Sequence, residues 1–466
     1  MKRYQVKFEK MFSEKEIKKA FWNKISKNNV CGLDGICNDH YYSILEDEVK
    51  IINKKVMNGT YKFTPFLEKL IIKRKDCNPR QIAIPSKRDQ IVLFQLKEFL
   101  KYVYEENLMT KLPNFYIHEI LDFMSSHSND IDKFKLIKSD ITGFYDNIDR
   151  EKLMNKIRKQ LNDKKDCIIR KLIHVAISNY IVPKNYHKSE NYKYLNSIGI
   201  PQGLSISNIL ADIYLSRFDE ILDKESLLYL RYVDDFLLIT DRNKYFDVLS
   251  KMNKKLKRIA LQLNKDKTVI EDLNTNFDYL GYVFSKNKVT VRNSSIESQI
   301  KKIAFYFKHK MPKITKDVKL DEENKEIFVV DLNEIITGAI FDKRRYGWLF
   351  YYSRINDVKI LHQLDSIVDN FFRRSEFFNY KVDSRKKSYV TAYFKMKKSN
   401  INNSSYFHNY DKYKLKQDKI DYLCKRHLAD RKELEKKHYR EVEIIFYKIV
   451  RQQLKKLKLD EHKNSD

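Results

Sequence analysis

Residues 227–240, with the sequence LLYLRYVDDFLLIT, constrain the fold more than any other part of the chain. Two runs of aromatic and branched apolar residues flank the adjacent carboxylates Asp234 and Asp235, and such runs are typical of strands. The pattern predicts a β-hairpin with the acidic pair at or near its tip. Asp is also a common turn residue, so a purely structural role would explain the pair equally well.

A third carboxylate has the same setting upstream, in residues 134–149, FKLIKSDITGFYDNID. The run FKLIKSDI alternates like a half-buried strand and delivers Asp140 at its carboxyl end, before Gly143. Three carboxylates that converge on two strand ends repel one another unless a cation compensates, and hard oxygen ligands suit Mg²⁺. Two such ions about 3.5–4 Å apart are the usual apparatus for in-line attack on a phosphate.

Seven motifs in order resemble those of the reverse transcriptases, in the bacterial, group II intron-like branch. The segments DITGFYD, GIPQGLSISNILADIYL and YVDD are similar to the first three palm motifs of the family. LQLNKDKT and FDYLGYVF are similar to the fourth and fifth. Two leading motifs are similar to CGLDGI and PRQIAIPSKRDQIV. The resemblance covers roughly residues 28–290. A helical extension without an endonuclease or ribonuclease H pattern is most similar to the defence-associated and abortive-infection enzymes of bacteria.

The resemblance implies an α+β fold of the right-hand polymerase type, with four regions. Residues 1–132 are expected to form the fingers with N-terminal helices, and residues 133–290 the palm with its antiparallel sheet. Residues 291–380 are expected to form a helical thumb, and residues 381–466 a basic, mainly helical C-terminal extension.

Local patterns add expectations about individual elements. Apolar periodicity predicts helices over residues 13–25, 86–102 and 335–377, the last with an interruption at Gly347. A long helix or helix pair is expected over residues 418–459. Ser205 or Ser207 is expected to cap the helix of the second palm motif.

The catalytic residues are assigned by the same resemblance. Asp140, Asp234 and Asp235 would hold two Mg²⁺ ions, with Mn²⁺ as an acceptable substitute, and the backbone carbonyl of Ile141 would be a further ligand. Lys267 would donate a proton to the departing pyrophosphate, which a positioned lysine can do. Neutralisation of phosphate charge is the rival interpretation of Lys267.

Nucleotide contacts are also implied by the family. Arg80 and Lys73 would grip the incoming triphosphate, because arginine offers a planar fork of donors and lysine a point charge; a solvated basic face is the alternative. Tyr145 would close the pocket beneath the sugar, so that a 2′-hydroxyl clashes and dNTPs are preferred, whereas a core tyrosine is the structural alternative. Gln202 would lie against the nascent base pair.

Nucleic-acid contacts are expected in three places. Gly203 and Tyr232 are implied by the palm motifs, and Lys343, Arg344 and Arg345 would bind duplex phosphates from the thumb. In residues 381–417 basic and aromatic residues alternate, a composition that suits single-stranded nucleic acid. A helix with a hydrated basic face explains that pattern almost as well. The candidates in this segment are Arg385, Lys386 and Lys387.

Composition supports a polyanionic partner, because the 466 residues carry a formal net charge of +29. No run approaches the roughly 20 apolar residues that cross a bilayer, and no apolar region follows the basic start. No membrane association and a cytoplasmic location are therefore expected.

The five cysteines are scattered, so neither a zinc site nor a disulfide is expected.

The leading functional hypothesis is an RNA-directed DNA polymerase that adds dNTPs on an RNA template. The resemblance suggests a dedicated non-coding RNA, a DNA product that serves anti-phage defence, and a homo-oligomer or a partner defence protein. Two alternatives stay open. One is template-independent or protein-primed DNA synthesis, and the other is a catalytically silent nucleic-acid-binding scaffold.

Overall fold

The chain packs as two compact units in a computed structural model that describes residues 2–72, 79–105, 108, 111–162, 167–185, 198–286, 288–398, 401 and 404–458. The first unit is Met1–Lys111 with Lys133–Asp272, and the second is Leu112–Asp132 with Leu273–Asp466. Residues 112–132, expected in the fingers, therefore pack in the second unit. The division into fingers, palm, thumb and extension stays a prediction.

Helices dominate both units. The α-helices are α1 Lys2–Met11, α2 Glu14–Ala20, α3 Asn38–Ser43, α4 Leu45–Met57, α5 Lys87–Val103, α6 Pro113–Ser126, α7 Arg150–Leu161, α8 Ile168–Ile177, α9 Ser207–Glu225, α10 Tyr245–Arg258, α11 Asn293–Lys310, α12 Val318–Thr337, α13 Trp348–Tyr351, α14 Lys359–Arg373, α15 Tyr389–Lys398, α16 Lys416–Lys425, α17 Arg431–Lys436 and α18 Tyr439–Lys458. A π-helix, Phe21–Ile25, follows α2 directly. Single 3₁₀ turns occupy Ile131–Lys133, Tyr145–Asn147, Lys265–Lys267, Glu376–Phe378 and Tyr410–Lys412.

Short sheets complete the α+β fold, whose class is as predicted. The strands are β1 Phe66–Ile71, β2 Arg80–Ile84, β3 Phe134–Ser139, β4 Ile181–Val182, β5 Leu228–Tyr232, β6 Asp235–Asp241, β7 Val269–Asp272, β8 Phe277–Tyr279, β9 Tyr282–Ser285, β10 Lys288–Val291, β11 Ala339–Phe341, β12 Arg344–Tyr346 and β13 His408–Asn409. No described helix is both long and apolar enough to span a membrane.

The centre of the first unit is an antiparallel sheet with strand order β5-β6-β3-β7. Strand β3 and the hairpin β5–β6 confirm the two strand predictions on which the sequence argument depends. The register pairs Ser139 of β3 with Phe236 of β6, so the next residues, Asp140 and Asp235, lie at the same edge. Phe236 is fully buried and packs edge-on against Phe218 of α9, 5.6 Å between ring centroids. The sheet thus fixes the acidic edge rigidly.

A second sheet of this unit has the order β2-β1-β4, with β1 and β2 antiparallel. The chain then enters α5, which confirms the helix predicted over residues 86–102, and the Ser86 hydroxyl caps it by accepting a hydrogen bond from the Asp89 amide. The expected cap of α9 is wrong: Ile206 occupies that position, and the Ser207 hydroxyl instead donates to the Pro201 carbonyl at 2.5 Å. That bond fastens the loop before α9 to the helix.

The second unit contains two small sheets, β10-β9-β8 and β12-β11-β13. The expectation of helix over residues 335–377 is wrong in its first part, because α12 ends at Thr337 and β11 and β12 form a hairpin. Strand β11 pairs in parallel with β13, about 70 residues later. A local sequence pattern cannot predict strand pairing over this separation. The long helix expected near the C-terminus is divided into α16, α17 and α18.

The cysteine expectation also needs correction. Cys31 and Cys37 form a disulfide across the GLDGI turn, with their Cα atoms 4.9 Å apart. The spacing of six residues gave no signal, because the turn that brings the sulfurs together depends on Gly32, whose added Cβ would lie 2.6 Å from the Ser86 backbone. The close approach of that turn to α5 decides where the two thiols meet.

We therefore expect the air-oxidised, unfolded protein to show three titratable thiols rather than the five that the sequence contains. Reduction should lower the free energy of unfolding by about 2 kcal/mol, the loop-closure entropy of so short a ring. A thiol assay and urea unfolding with and without reductant test both points, and Cys37→Ser should remove the reductant effect. Five reactive thiols in the oxidised protein would contradict the pairing.

Candidate active site

The acidic edge of the central sheet contains a strained hairpin tip. Tyr232 pairs with Asp235, so Val233 and Asp234 alone form the turn between β5 and β6. Val233 has φ = 61°, which is rare for a β-branched residue and is normally left to glycine in such turns. Strain of this kind persists only where the surrounding structure enforces it, and it occurs preferentially at functional sites.

The guanidinium of Arg231 enforces this turn from below. Its Nη1 donates to the Val233 carbonyl at 2.8 Å, and its Nε and Nη2 each donate to the Asp219 carboxylate of α9 at 2.7 Å. Asp212, about two turns before Asp219 on the same face of α9, accepts a hydrogen bond from Nη1 at 3.1 Å. Both Arg231 and Asp219 side chains are almost fully buried, with 3% and 1% exposed. Arg231 therefore joins the hairpin of the third palm motif to α9, the helix of the second palm motif. We call the Arg231–Asp219 pair the buried fork.

The end of β3 is held by the LQLNKDKT segment. The Asn264 amide donates to the Asp140 carbonyl at 2.7 Å, and Ile141 forms an isolated antiparallel bridge with Leu263. The hydroxyls of Ser139 and Thr268 share a hydrogen bond of 2.8 Å. Asp140 consequently leaves the strand in a fixed direction.

The three carboxylates affect one another strongly. Burial, followed by the charges of Asp140 and Asp235 and a hydrogen bond with Asp140, raises the pKa of Asp234 to about 7. The ammonium of Lys267 donates to Asp140 Oδ2 at 2.8 Å. The structure thus brings together the four predicted catalytic residues, three of them acidic and one basic.

These carboxylates suit a divalent cation on chemical grounds, because hard oxygen ligands with mutually repelling charges gain most from one. Among the described residues, no three His, Cys, Asp or Glu side chains stand in a metal-binding arrangement. The Lys267 ammonium instead compensates Asp140. The metal roles of Asp140, Asp234, Asp235 and Ile141 stay predictions.

Tyr145 lies beside this acidic edge on its 3₁₀ turn. Its hydroxyl donates to Asn208 Oδ1 in the first turn of α9 at 3.0 Å. Burial, and then the charges of Asp234 and Asp212, raise the pKa of Tyr145, so the hydroxyl stays protonated and can donate. Arg80 opposes that shift, which shows that the guanidinium lies within electrostatic range. The ring is thus held between the carboxylates and α9.

The GIPQG loop bridges the Tyr145 turn and strand β2. Gly199 donates to the Ile148 carbonyl at 2.7 Å, and a Cβ on Gly199 would lie 2.7 Å from the Asp146 carbonyl oxygen. At the other end, the Gln202 carbonyl accepts from the Ala83 amide at 2.8 Å. A Cβ on Gly203 would meet Ile82 at 2.5 Å. Both glycines have positive φ, so close approach and backbone conformation together favour glycine at these two positions.

The remaining predicted contacts fall into three groups. Arg80 is exposed at the start of β2, and Tyr232 is half-buried at the base of the hairpin tip. Lys73 lies outside the described residues. In the second unit, Lys343, Arg344 and Arg345 are exposed on the β11–β12 hairpin. All of these contacts remain predictions.

The basic residues after the expected thumb are largely used internally. Arg385 binds the Asp383 carboxylate at 2.6 Å and Glu322 at 3.0 Å. Lys386 Nζ lies 2.6 Å from Asp369. Lys387 Nζ donates to the Tyr406 carbonyl at 2.6 Å. A phosphate group would compete with these bonds for the same donors. Nucleic-acid binding by Arg385, Lys386 and Lys387 stays a prediction.

Three residues that the sequence argument passed over prove central to the site. None of the predictions from sequence concerned Arg231, Asp219 or Asn208. A charged residue inside a run as apolar as LLYLRYV was the available signal, since a buried arginine needs a partner. Asn208 gave no signal in the sequence.

Residues 72–284 match the family model described as "Reverse transcriptase (RNA-dependent DNA polymerase)". Protein YkfC of Escherichia coli K12 is 23% identical over 294 residues, which cover 54% of this chain and 74% of YkfC. The group II intron-encoded protein LtrA of Lactococcus lactis is 26% identical over 204 residues, 43% of this chain. The match spans only 32% of LtrA.

Solved structures that match the chain include telomerases from Candida species. Apo telomerase from Candida tropicalis gives a TM-score of 0.44 at 13% identity, over 93% of this chain and 74% of that one. Telomerase from Candida albicans with a fragment of telomeric RNA gives 0.41 at 15% identity, over 74% and 64%.

The buried fork generates a stability prediction. Asp219→Ala leaves the Arg231 guanidinium buried without its main partner, so the free energy of unfolding should fall by about 3–5 kcal/mol. Urea unfolding followed by tryptophan fluorescence and circular dichroism measures the change. Asp223→Ala, at an exposed position of the same helix, is the matched control and should stay within about 0.5 kcal/mol of wild type. Equal effects of the two substitutions would show that the fork contributes nothing.

Proposed function

We propose that the chain is an RNA-directed DNA polymerase in which Asp140, Asp234 and Asp235 carry out nucleotide addition to the 3′ end of a DNA strand. The match of residues 72–284 to the reverse transcriptase family supports this activity. The observation that supports this most is the register of β3 and β6, which sets Asp140 beside Asp235 at one sheet edge. The raised pKa of Asp234 reflects the same convergence of charge. Mutual repulsion among clustered carboxylates lowers the stability of the folded protein, which argues against a purely structural role.

The carboxylates would hold the divalent ions, Mg²⁺ or Mn²⁺, and Ile141 would offer its carbonyl as a further ligand. Bound there, the ions supply activation of the attacking 3′-hydroxyl and compensation of charge on the phosphates. Lys267 would release Asp140 and donate a proton to the leaving pyrophosphate. Arg80, and Lys73 in our proposal, bind the phosphates of the incoming nucleotide.

Sugar selection would depend on the orientation of Tyr145. Its hydroxyl bond to Asn208 holds the ring in place beside Asp234. A fixed ring excludes a 2′-hydroxyl better than a mobile one, because displacement of the ring would break a hydrogen bond. The proposal therefore includes a preference for dNTPs, with Asn208 as a positioning residue for Tyr145 and Gln202 lying against the base pair.

The finer biological proposal is synthesis on a bound non-coding RNA in bacterial anti-phage defence. The net charge of +29 supports an RNA partner, since cationic proteins gain affinity by releasing counterions from nucleic acid. The branch of the family that the sequence resembles supports defence.

We expect Asp234→Ala to reduce dNTP incorporation by more than about a hundredfold, because loss of a direct ligand should exceed the loss of an outer-shell partner. Incorporation of labelled dNTPs by purified protein in Mg²⁺ is the measurement. Asp241→Ala, at the far and partly exposed end of the same strand, is the control and should retain activity. Robust synthesis by a folded Asp234→Ala protein would refute the assignment.

The same assay separates the modes of synthesis when no template is added. Incorporation that disappears after ribonuclease treatment and removal of co-purifying RNA identifies a bound RNA template, which sequencing of the product then reveals. Synthesis that survives this treatment replaces the RNA-templated proposal with template-independent synthesis. DNA that stays attached to protein after nuclease digestion identifies a protein primer.

Sugar selection gives a second test. Tyr145→Ala should raise the ratio of rNTP to dNTP incorporation by about 10 to 100-fold, the discrimination that a pocket wall achieves against one added hydroxyl. Tyr145→Phe and Asn208→Ala should each raise it about fivefold, the value of one hydrogen bond. The double variant should add nothing further, because both remove the same bond. An unchanged ratio in Tyr145→Ala would exclude the gate.

A further inference from the structure

The second unit contains a cavity of about 320 Å³, a volume typical of small-molecule sites. Its wall is mostly aromatic, formed by Phe341, Tyr410, Tyr413, Tyr439, Phe446 and Tyr447. Four charged residues, Asp411, Lys414, Lys419 and Glu443, complete it. We propose that this cavity binds one nucleotide unit of a single-stranded nucleic acid, with the base among the aromatic rings and the phosphate towards the neighbouring basic turn.

The rings are fixed from behind by polar bonds to residues outside the cavity. The Tyr410 hydroxyl donates to Glu334 at 2.8 Å, and the Tyr413 hydroxyl shares a hydrogen bond of 3.3 Å with His408 Nε2. His408 Nδ1 lies 2.8 Å from the same Glu334 carboxylate, which is buried. Because these hydroxyls are bound behind the wall, the rings of Tyr410 and Tyr413 are held in fixed orientations. A wall already ordered loses little entropy when a base stacks on it.

The charged lining is neutral in sum but has one buried cation. Lys419 Nζ donates to the Tyr439 hydroxyl at 2.9 Å and to the Lys414 carbonyl at 3.1 Å. It also lies 3.8 Å from the Glu443 carboxylate, and its side chain is 3% exposed. A fixed ammonium beside aromatic rings disfavours a cationic guest and favours one with carbonyl oxygens or a negative charge. A nucleobase with its phosphate meets both requirements.

The wall is joined directly to the basic hairpin singled out by the sequence. The Asp411 carboxylate accepts hydrogen bonds from the backbone amides of Asp342 at 2.7 Å and Lys343 at 2.8 Å. The turn that presents Lys343 and Arg344 is thereby fixed to the cavity, and both side chains are exposed. Aromatic rings next to a row of cations are the combination that binds single strands, since bases stack while phosphates meet the charges.

The test uses the full chain with Asp234→Ala, so that no synthesis occurs. The probes are an oligonucleotide about ten nucleotides long, within the usual site size of a single-strand binder, with one 2-aminopurine, and free 2-aminopurine nucleoside monophosphate. Quenching of 2-aminopurine fluorescence reports stacking. Tyr413→Leu should weaken oligonucleotide binding about tenfold, which is within the range of one base–aromatic stack. Tyr413→Phe keeps the ring and should stay within about twofold of the parent.

Two further variants keep the test decisive if Tyr413→Leu proves unstable. Tyr439→Ala changes a ring with 38% exposure at the mouth of the cavity and should also weaken binding. The pair Lys343→Glu with Arg344→Glu should reduce oligonucleotide affinity and its salt dependence, and affect the free nucleotide less. Phe394→Ala, at an exposed ring on α15, is the control for a simple basic helix face and should bind like the parent.

Binding of the oligonucleotide together with the expected losses supports a strand as ligand, and binding of the monophosphate alone supports the cavity as a site for free nucleotide. Unchanged quenching in Tyr413→Leu and Tyr439→Ala overturns the proposal, as does a loss confined to Phe394→Ala. Since the assay measures binding and not synthesis, this result is independent of the polymerase assignment. Either proposal can fail while the other stands.

Discussion

Mutual repulsion of three carboxylates is the constraint around which the first unit is arranged. Asp140, Asp234 and Asp235 lie at one sheet edge, where burial and then the charges of the other two carboxylates raise the pKa of Asp234 to about 7. Two cations lie beside this cluster and have different partners. Lys267 binds Asp140 directly, whereas Arg231 acts from beneath the hairpin and compensates Asp219 and Asp212. The three carboxylates and Lys267 therefore form one charged cluster at the edge of the sheet.

The same arrangement links motifs that are far apart in sequence. Arg231 joins the hairpin to α9, Asn208 at the start of α9 holds Tyr145, and the loop before α9 binds β2 through Gln202. Helix α9 is therefore the common support for the catalytic edge, the residue beneath the sugar and the strand that bears Arg80. A change on this helix reaches all three, even when it touches no substrate.

Local patterns were sufficient for the elements whose partners are near in sequence. Strand β3, the hairpin β5–β6 and the capped helix α5 each carry a period or a cap that a short window reveals. The β11–β12 hairpin was missed because its identity depends on β13 and Asp411, about 70 residues later. The bond between Cys31 and Cys37 depends on packing against α5. Roles in catalysis came from family resemblance, and geometry added the supports, Arg231, Asp219 and Asn208, that resemblance did not supply.

The discontinuity of the two units has a consequence for biosynthesis. Helix α6 buries Tyr116, Ile117, Ile120 and Met124 within the second unit, whose other residues begin about 140 positions after the end of its first segment. At about 5–20 residues per second, translation needs roughly 7 to 28 seconds to supply them. During that interval the emerging chain carries an apolar helix without its native cover, while the residues around it are already those of the first unit. Chaperones that recognise exposed apolar helices have their clearest target in this chain at α6.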